Sequence, residues 1–219
     1  MGREVNLLDT HPKTIRDYNK RILEKNPEVV FIAKQFGKDF FDGDRKFGYG
    51  GYKYDGRWKT VVRRMKEYYK FADNAAILDI GCAKGFMLHD FKELMPDCTV
   101  AGIDPSVYAI ENAMPSVKPF LKVGSAEQLP YPDKNFDLVI SINSIHNLPI
   151  ERLKESLKEV QRVSRKHSYI TIDAWRNDLE KENLYKWVLT AETMMHVDDW
   201  RKLFIETGYT GDYWWFIAE

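Results

Sequence analysis

Polar side chains recur in this sequence where short apolar runs end. Asp79 falls near the close of "AAILDI", Asp104 closes "TVAGID", Asn143 and His146 follow "FDLVIS", and Asp173 closes "SYITID". If those runs are strands, the side chains gather along one edge of a sheet, where they can receive hydroxyl and ammonium protons. In "DIGCAKG", residues 79 to 85, Gly81 makes the turn and Gly85 lets the next helix approach the sheet. This is not the GxGxxG spacing of a dinucleotide loop. Asp79 brings negative charge and Ala83 a methyl group to the place where pyrophosphate needs bare backbone, so a phosphate ligand is disfavoured. An amino-acid-like group suits the loop better, with its ammonium toward the acidic neighbourhood or a loop carbonyl and its carboxylate toward helix amides.

The later turns extend the same ligand. Asp104 lies 23 residues beyond Gly81, the separation expected of a carboxylate that receives two ribose hydroxyls. "GSAEQLP" can offer backbone amides and the side chain of Ser125 or Glu127 to the polar edge of a base. "SINSIHNLP" presents Asn143, Ser144, His146 and Asn147 at a strand end. Together the turns describe a ligand with an amino-acid end, a ribose and a base.

Such a site needs parallel strands alternating with helices. "AAILDI" (75 to 80), "TVAGID" (99 to 104), "FLKVG" (120 to 124), "FDLVIS" (136 to 141) and "SYITID" (168 to 173) read as strands. Helical patterns separate them at 84 to 95, 106 to 114 and 150 to 164, the last with Leu153, Leu157, Val160 and Val163 on one face. The expected fold is α/β, a doubly wound, mostly parallel sheet with helices on both faces. In the tail, 198 to 209 reads as a helix capped by Gly208 and "DYWWFIAE" as a strand, with a second terminal strand left open. Residues 1 to 70 read as a mostly helical extension in which Trp58, Val61, Val62, Met65 and Tyr69 form an apolar stripe, and 71 to 219 as the ligand-binding domain.

Composition narrows the partners. The 33 basic and 33 acidic side chains of the 219 residues cancel, so no global charge advertises nucleic acid, and none is expected as a partner. The absence of a long apolar run argues against membrane insertion, the opening residues lack the apolar core of a signal peptide, and the expected compartment is the cytoplasm. Cys82 and Cys98, without CxxC or zinc spacing, fit a reducing compartment and offer no metal site.

"ILDIGCAKGFML", "GIDPSVYAIENA", "GSAEQLPYPDKNFDLVIS" and "INSIHNL" resemble, in order, the successive motifs of class I S-adenosylmethionine-dependent methyltransferases. The resemblance covers roughly residues 72 to 173. It implies S-adenosyl-L-methionine as cofactor and S-adenosyl-L-homocysteine as product. By the same resemblance Asp79, Gly81, Cys82, Ala83 and Gly85 surround the methionine part and Asn143 belongs to the cofactor site. Asp104 holds the ribose, Pro105 packs near the adenine, and Ser125, Ala126 and Glu127 flank its edge. Ala83 stands where the family usually has Gly, and Ser125 where Asp is common. His146, in the motif beside the transferring methyl group, is the candidate catalytic base; its alternative role is a polar cap on the next helix.

"FGYGGYKYDGRW", residues 47 to 58, precedes the first strand, so it is no cofactor loop; its aromatic density argues for a lid over cofactor and acceptor. Tyr49, Tyr52 and Tyr54 are candidate ligand contacts there, and Arg57 a partner for a cofactor carboxylate or an anionic acceptor group. Asp173, Trp175 and other residues after the fifth strand are candidates for the acceptor wall. The expected activity is methylation of a polar small molecule, such as a sugar, a sugar nucleotide or a natural-product intermediate, at O or N by a monomer or homodimer. The alternatives are a protein that uses S-adenosylmethionine for regulation or other chemistry, and an RNA or protein methyltransferase, for which a basic stripe beside the pocket is expected.

Overall fold

In the computed structural model, which describes residues 2–12 and 16–219, each apolar run becomes a strand. The strands are β1 (Ala76–Ile80), β2 (Thr99–Asp104), β3 (Leu121–Val123), β4 (Phe136–Ile142), β5 (Ser164–Trp175), β6 (Met195–His196) and β7 (Asp212–Phe216). Their order is β3-β2-β1-β4-β5-β6, with β7 also pairing with β5, and every pairing is parallel. The tail therefore holds two strands, β6 being only a two-residue contact at the end of β5.

The helices before the sheet are α1 (Tyr18–Glu24), α2 (Pro27–Lys34), α3 (Lys38–Asp42) and α4 (Lys59–Tyr69). Those that follow are α5 (Phe86–Leu94), α6 (Val107–Glu111), α7 (Ile150–Val163), α8 (Asp178–Trp187) and α9 (Val197–Thr207). Strands covered on both faces read as unbroken apolar runs, and their alternate residues feed two cores. Ile77, Leu138 and Ile140 pack with Val61, Val62 and Met65 of α4 and Phe91 of α5. Leu78, Val139 and Ile170 face the other way, against Leu153, Leu157 and Val160 of α7 and Trp200 and Phe204 of α9. The stripe read on α4 is thus buried, with Trp58 half-buried at its start.

The N-terminal segment is stitched to the sheet. Val5 N donates to Tyr213 O and Tyr213 N to Arg3 O, both at 3.0 Å, while the fully buried Leu7 donates its amide to the Tyr169 hydroxyl at 3.1 Å. These bonds shield part of the edge of β7. The chain runs outward from β1 through β2 to β3 and then returns to β4, so the order reverses beside β1 and a crevice opens at the carboxyl ends of β1 and β4.

Candidate active site

A cavity of about 810 Å³ occupies that crevice. The turn after β1 makes one wall, and Phe36, Phe40, Phe41 and Tyr49 from the chain ahead of the sheet make the opposite one. The turn alternates left-handed residues: Gly81 at φ 79°, Ala83 at φ 48° and Gly85 at φ 73°. At Gly81 glycine is obligatory, because a Cβ would lie 1.9 Å from Ser144 Oγ as well as strain the backbone. Ala83 holds the same kind of conformation with a side chain, at a conformational cost of about 1–2 kcal/mol.

Asp104 fixes this loop. Its carboxylate accepts the amides of Ala83 and Ser106, each at 2.8 Å, and the oxygens keep further lone pairs for a ligand in the cavity they border. Burial pushes its pKa up, and the two amides partly offset this. Asp79 is also buried, at 6% exposure, and no side-chain or backbone donor meets its carboxylate among the described residues. Burial and the charge of Asp104 push Asp79 up to about 7. Two close carboxylates with one lacking any donor make a place where a cation is favourable.

Gly81, Ala83, Asp104, Pro105, Ser125, Ala126, Asn143, Tyr49 and Asp173 all border the cavity. Asn143 does so at φ 49°, its side-chain oxygen accepting the Thr171 hydroxyl at 2.7 Å. Cys82 is packed beneath the loop with its thiol pushed up by burial, and Gly85 caps α5. Glu127 turns to an ion pair with Arg152 and also accepts from Ser125.

His146 differs from the base read in the sequence. It sits in the short 3-10 turn Ile145–Asn147, is 4% exposed and does not line the cavity. Its Nδ1 accepts the backbone N–H of Asp173 at 3.1 Å, which places the ring proton on Nε2, 3.5 Å from Asp173 Oδ2. Burial lowers its pKa although Asp173 opposes the shift. The imidazole is therefore neutral and shields behind Asp173, the group that does face the cavity. The Asp173 carbonyl accepts Trp200 Nε1 at 2.9 Å, so the residue is held from both sides of its backbone.

The expected lid is divided. Tyr49 borders the cavity, but Tyr52 stacks on Phe86 at 4.8 Å, Tyr54 donates to Asp90 at 2.6 Å, and Arg57 is paired with Asp55 on the surface. Trp175 stands outside, against Tyr185 and Lys181, whereas Trp187 at the end of α8 supplies the aromatic wall. Among the described residues His89, Asp90 and Glu93 have metal-ligating types close together, but Lys59 already sits 2.8 Å from Glu93.

Sequence reasoning missed two features. Lys84, 7% exposed inside the cofactor-like loop, donates to both oxygens of Asp42 at 2.9 and 2.6 Å and to Tyr52 O at 3.0 Å. Tyr108 adds its hydroxyl to Asp42 at 2.6 Å, and the Tyr52 amide joins at 3.1 Å, so one partly buried ion pair ties the loop to the aromatic cover. Burial favours the neutral Asp42 carboxyl, but these bonds together hold it below the usual carboxylate range. Arg21 and Arg45 enter the cavity from α1 and from the turn after α3. Neither belongs to a motif, and only the folded N-terminal segment brings them there.

Residues 78–172 match the model of a methyltransferase domain family. Among curated proteins, the chain is similar to the tRNA (carboxymethyluridine(34)-5-O)-methyltransferase of Arabidopsis thaliana, 32% identical over 146 residues. That match takes in 66% of this chain and 34% of the relative. It is also similar to the sterol 4-C-methyltransferase strm-1 of Caenorhabditis elegans, 28% identical over 159 residues, 69% of this chain and 46% of the relative. The chain thus spans between a third and a half of the length of these two relatives. Among solved structures, the YcgJ protein of Bacillus subtilis shares the fold at a TM-score of 0.55 with 19% identity, over 67% of this chain and 66% of that one. The PH0226 protein of Pyrococcus horikoshii does so at 0.50 with 24% identity, over 67% and 66%.

Proposed function

Because the chain belongs, through residues 78–172, to the class I S-adenosylmethionine-dependent methyltransferases, we propose that it methylates a polar small molecule at oxygen or nitrogen. The observation that carries this reading is Asp104, a buried carboxylate at the end of β2 that borders the cavity, with Asp79 buried near it at the end of β1 though outside the cavity lining. Among the described residues Asp79 has no donor, which favours a cation close by, while Asp104 keeps acceptor capacity for ribose hydroxyls. These groups fit the cofactor.

S-adenosylmethionine, when bound, supplies a methyl group already activated for transfer. The protein's task is then to position the acceptor and exclude water, an effect on the order of 7–11 kcal/mol when alignment is good. Phe40, Phe41 and Tyr49 cover the cavity, and Asp173 offers a carboxylate to orient an acceptor hydroxyl or amine. Burial raises the Asp173 pKa, with His146 and Arg16 opposing, so Asp173 is suited to share a proton with that acceptor. His146 is a positioning residue for Asp173. Tyr49 is the lid tyrosine retained in this reading, with Tyr52 packed against it at 4.4 Å.

The tRNA-methylating relative supports a second reading, an RNA acceptor. The balanced charge favours the small acceptor. A direct test supplies methyl-labelled S-adenosylmethionine to the full chain with a low-molecular-weight metabolite extract or with total tRNA. Label in the metabolite pool is expected. Label only in tRNA selects the second reading, and cofactor binding without transfer to either pool contradicts both in favour of a non-transferring binding protein.

A further inference from the structure

Three arginines gather around Trp187, with Arg21 and Arg45 in the cavity lining and Arg16 against Trp187 and Phe216. The guanidinium carbons of Arg21, Arg45 and Arg16 lie 5.1, 5.5 and 5.5 Å from the centre of the Trp187 ring. Among the described residues none of the three is in ion-pair contact with a carboxylate. Arg21 is 8% exposed, and its protein partners are all neutral carbonyls: Trp187 O through Nε at 3.2 Å, and Lys46 O and Arg45 O through Nη1 at 2.9 and 3.4 Å. Its Nη2 end has no hydrogen-bond partner among the described residues. Arg45 spends one donor on Gly48 O and keeps the rest of its fork. Arg16 lies 4.4 Å over the Phe216 ring and has a buried Nε with no partner among the described residues.

Like charges held around one indole repel one another, and a buried cation without an anion is costly. The aromatic faces offset part of that cost, and the carbonyls fix the side chains without neutralising them. Burial and the neighbouring Arg45 press the Arg21 pKa down, and Glu24 on the same helix only partly opposes them. A guanidinium with free parallel donors is shaped for a carboxylate or phosphate. Arg21 and Arg45 border the same cavity as Asp104 and Asp173, so whatever neutralises them occupies the space left to the acceptor.

We propose that the methyl acceptor is an anion whose carboxylate or phosphate group docks on Arg21 and Arg45, an inference that rests on the methyltransferase reading of the cavity. Arg57, the cation singled out in the sequence for this role, is engaged with Asp55 instead. The anionic end sets the orientation, and Asp173 meets a proton-bearing group elsewhere on the same molecule.

The test is calorimetric titration of the S-adenosylhomocysteine-saturated full chain with benzoate, phenyl phosphate and benzamide, three probes of one shape and different charge. At least one anion is expected to bind about tenfold or more tighter than benzamide, and the stronger of the two identifies carboxylate or phosphate. Arg45→Gln, at an exposed position, and Arg21→Gln should each weaken that binding at least about fivefold while leaving S-adenosylhomocysteine affinity unchanged. Unchanged homocysteine-ligand affinity also certifies that the variants fold. Equal binding of benzamide, no saturable binding of either anion, or full anion affinity in Arg45→Gln overturns the proposal. Failure of S-adenosylhomocysteine to bind the wild-type chain instead removes the underlying methyltransferase reading, and the anion titration is then read on the free chain by the same criteria.

Discussion

Asp79 carries the sharpest pH signature. Its folded-state pKa of about 7 is above that of an unfolded aspartate, so between about pH 4 and that value the folded chain binds more protons than the unfolded one. Its contribution to stability therefore declines as pH rises across that window. Ammonium binding favours the ionised form, so S-adenosylhomocysteine affinity should rise between about pH 6 and pH 8, and Asp79→Asn should flatten that rise. Calorimetry at several pH values measures both; an equal pH slope in the variant would dissociate Asp79 from the ligand. His146 makes a different prediction. His146→Ala strips the acceptor from the buried Asp173 amide, which should cost about 1–3 kcal/mol in denaturant unfolding. The pH dependence of turnover should keep its shape, since in the proposed function Asp173 rather than the imidazole meets the acceptor; loss of an ionisation from that profile would restore His146 as the base. The sequence placed His146 at the right strand end but could not tell which way its ring turns. That depends on the Asp173 amide, 27 residues away.

At the scale of elements, strand ends were legible because each strand buries both faces and then meets a polar turn. Asp79, Asp104 and Asp173 could be read for that reason. The departure at Ala83 was also visible, and the structure gives its physical content as a left-handed residue with a side chain. Lys84 was not legible: in the sequence it is a polar residue at the start of a helix, and its partner Asp42 lies 42 residues earlier on a five-residue helix. The ion pair makes α3 and the glycine-rich stretch part of the wall. Lys84→Met should loosen that tie, leaving the half-buried Asp42 with fewer donors. Faster proteolysis within residues 43 to 58 and weaker S-adenosylhomocysteine binding are expected. Wild-type protection of that stretch would show that the aromatic packing alone holds the cover.

At the scale of the molecule, alternation of apolar runs and helices was enough to place the doubly wound sheet, since parallel strands covered on both faces leave few topologies. The acceptor end was harder. Arg21, Arg45 and Phe40 come from segments ahead of β1 and Trp187 from the end of α8, with no spacing to link them before folding. No helix among the described residues is long and apolar enough to cross a membrane, and the site opens at the sheet's carboxyl edge as its strand order requires. In the proposed function Asp104 is the ribose carboxylate at that edge. Calorimetric titration of S-adenosylhomocysteine into the wild-type chain and into Asp104→Asn tests it most directly. Saturable binding weakened about tenfold or more by the substitution is predicted; no binding to the wild-type chain, or equal affinity in the variant, would contradict it.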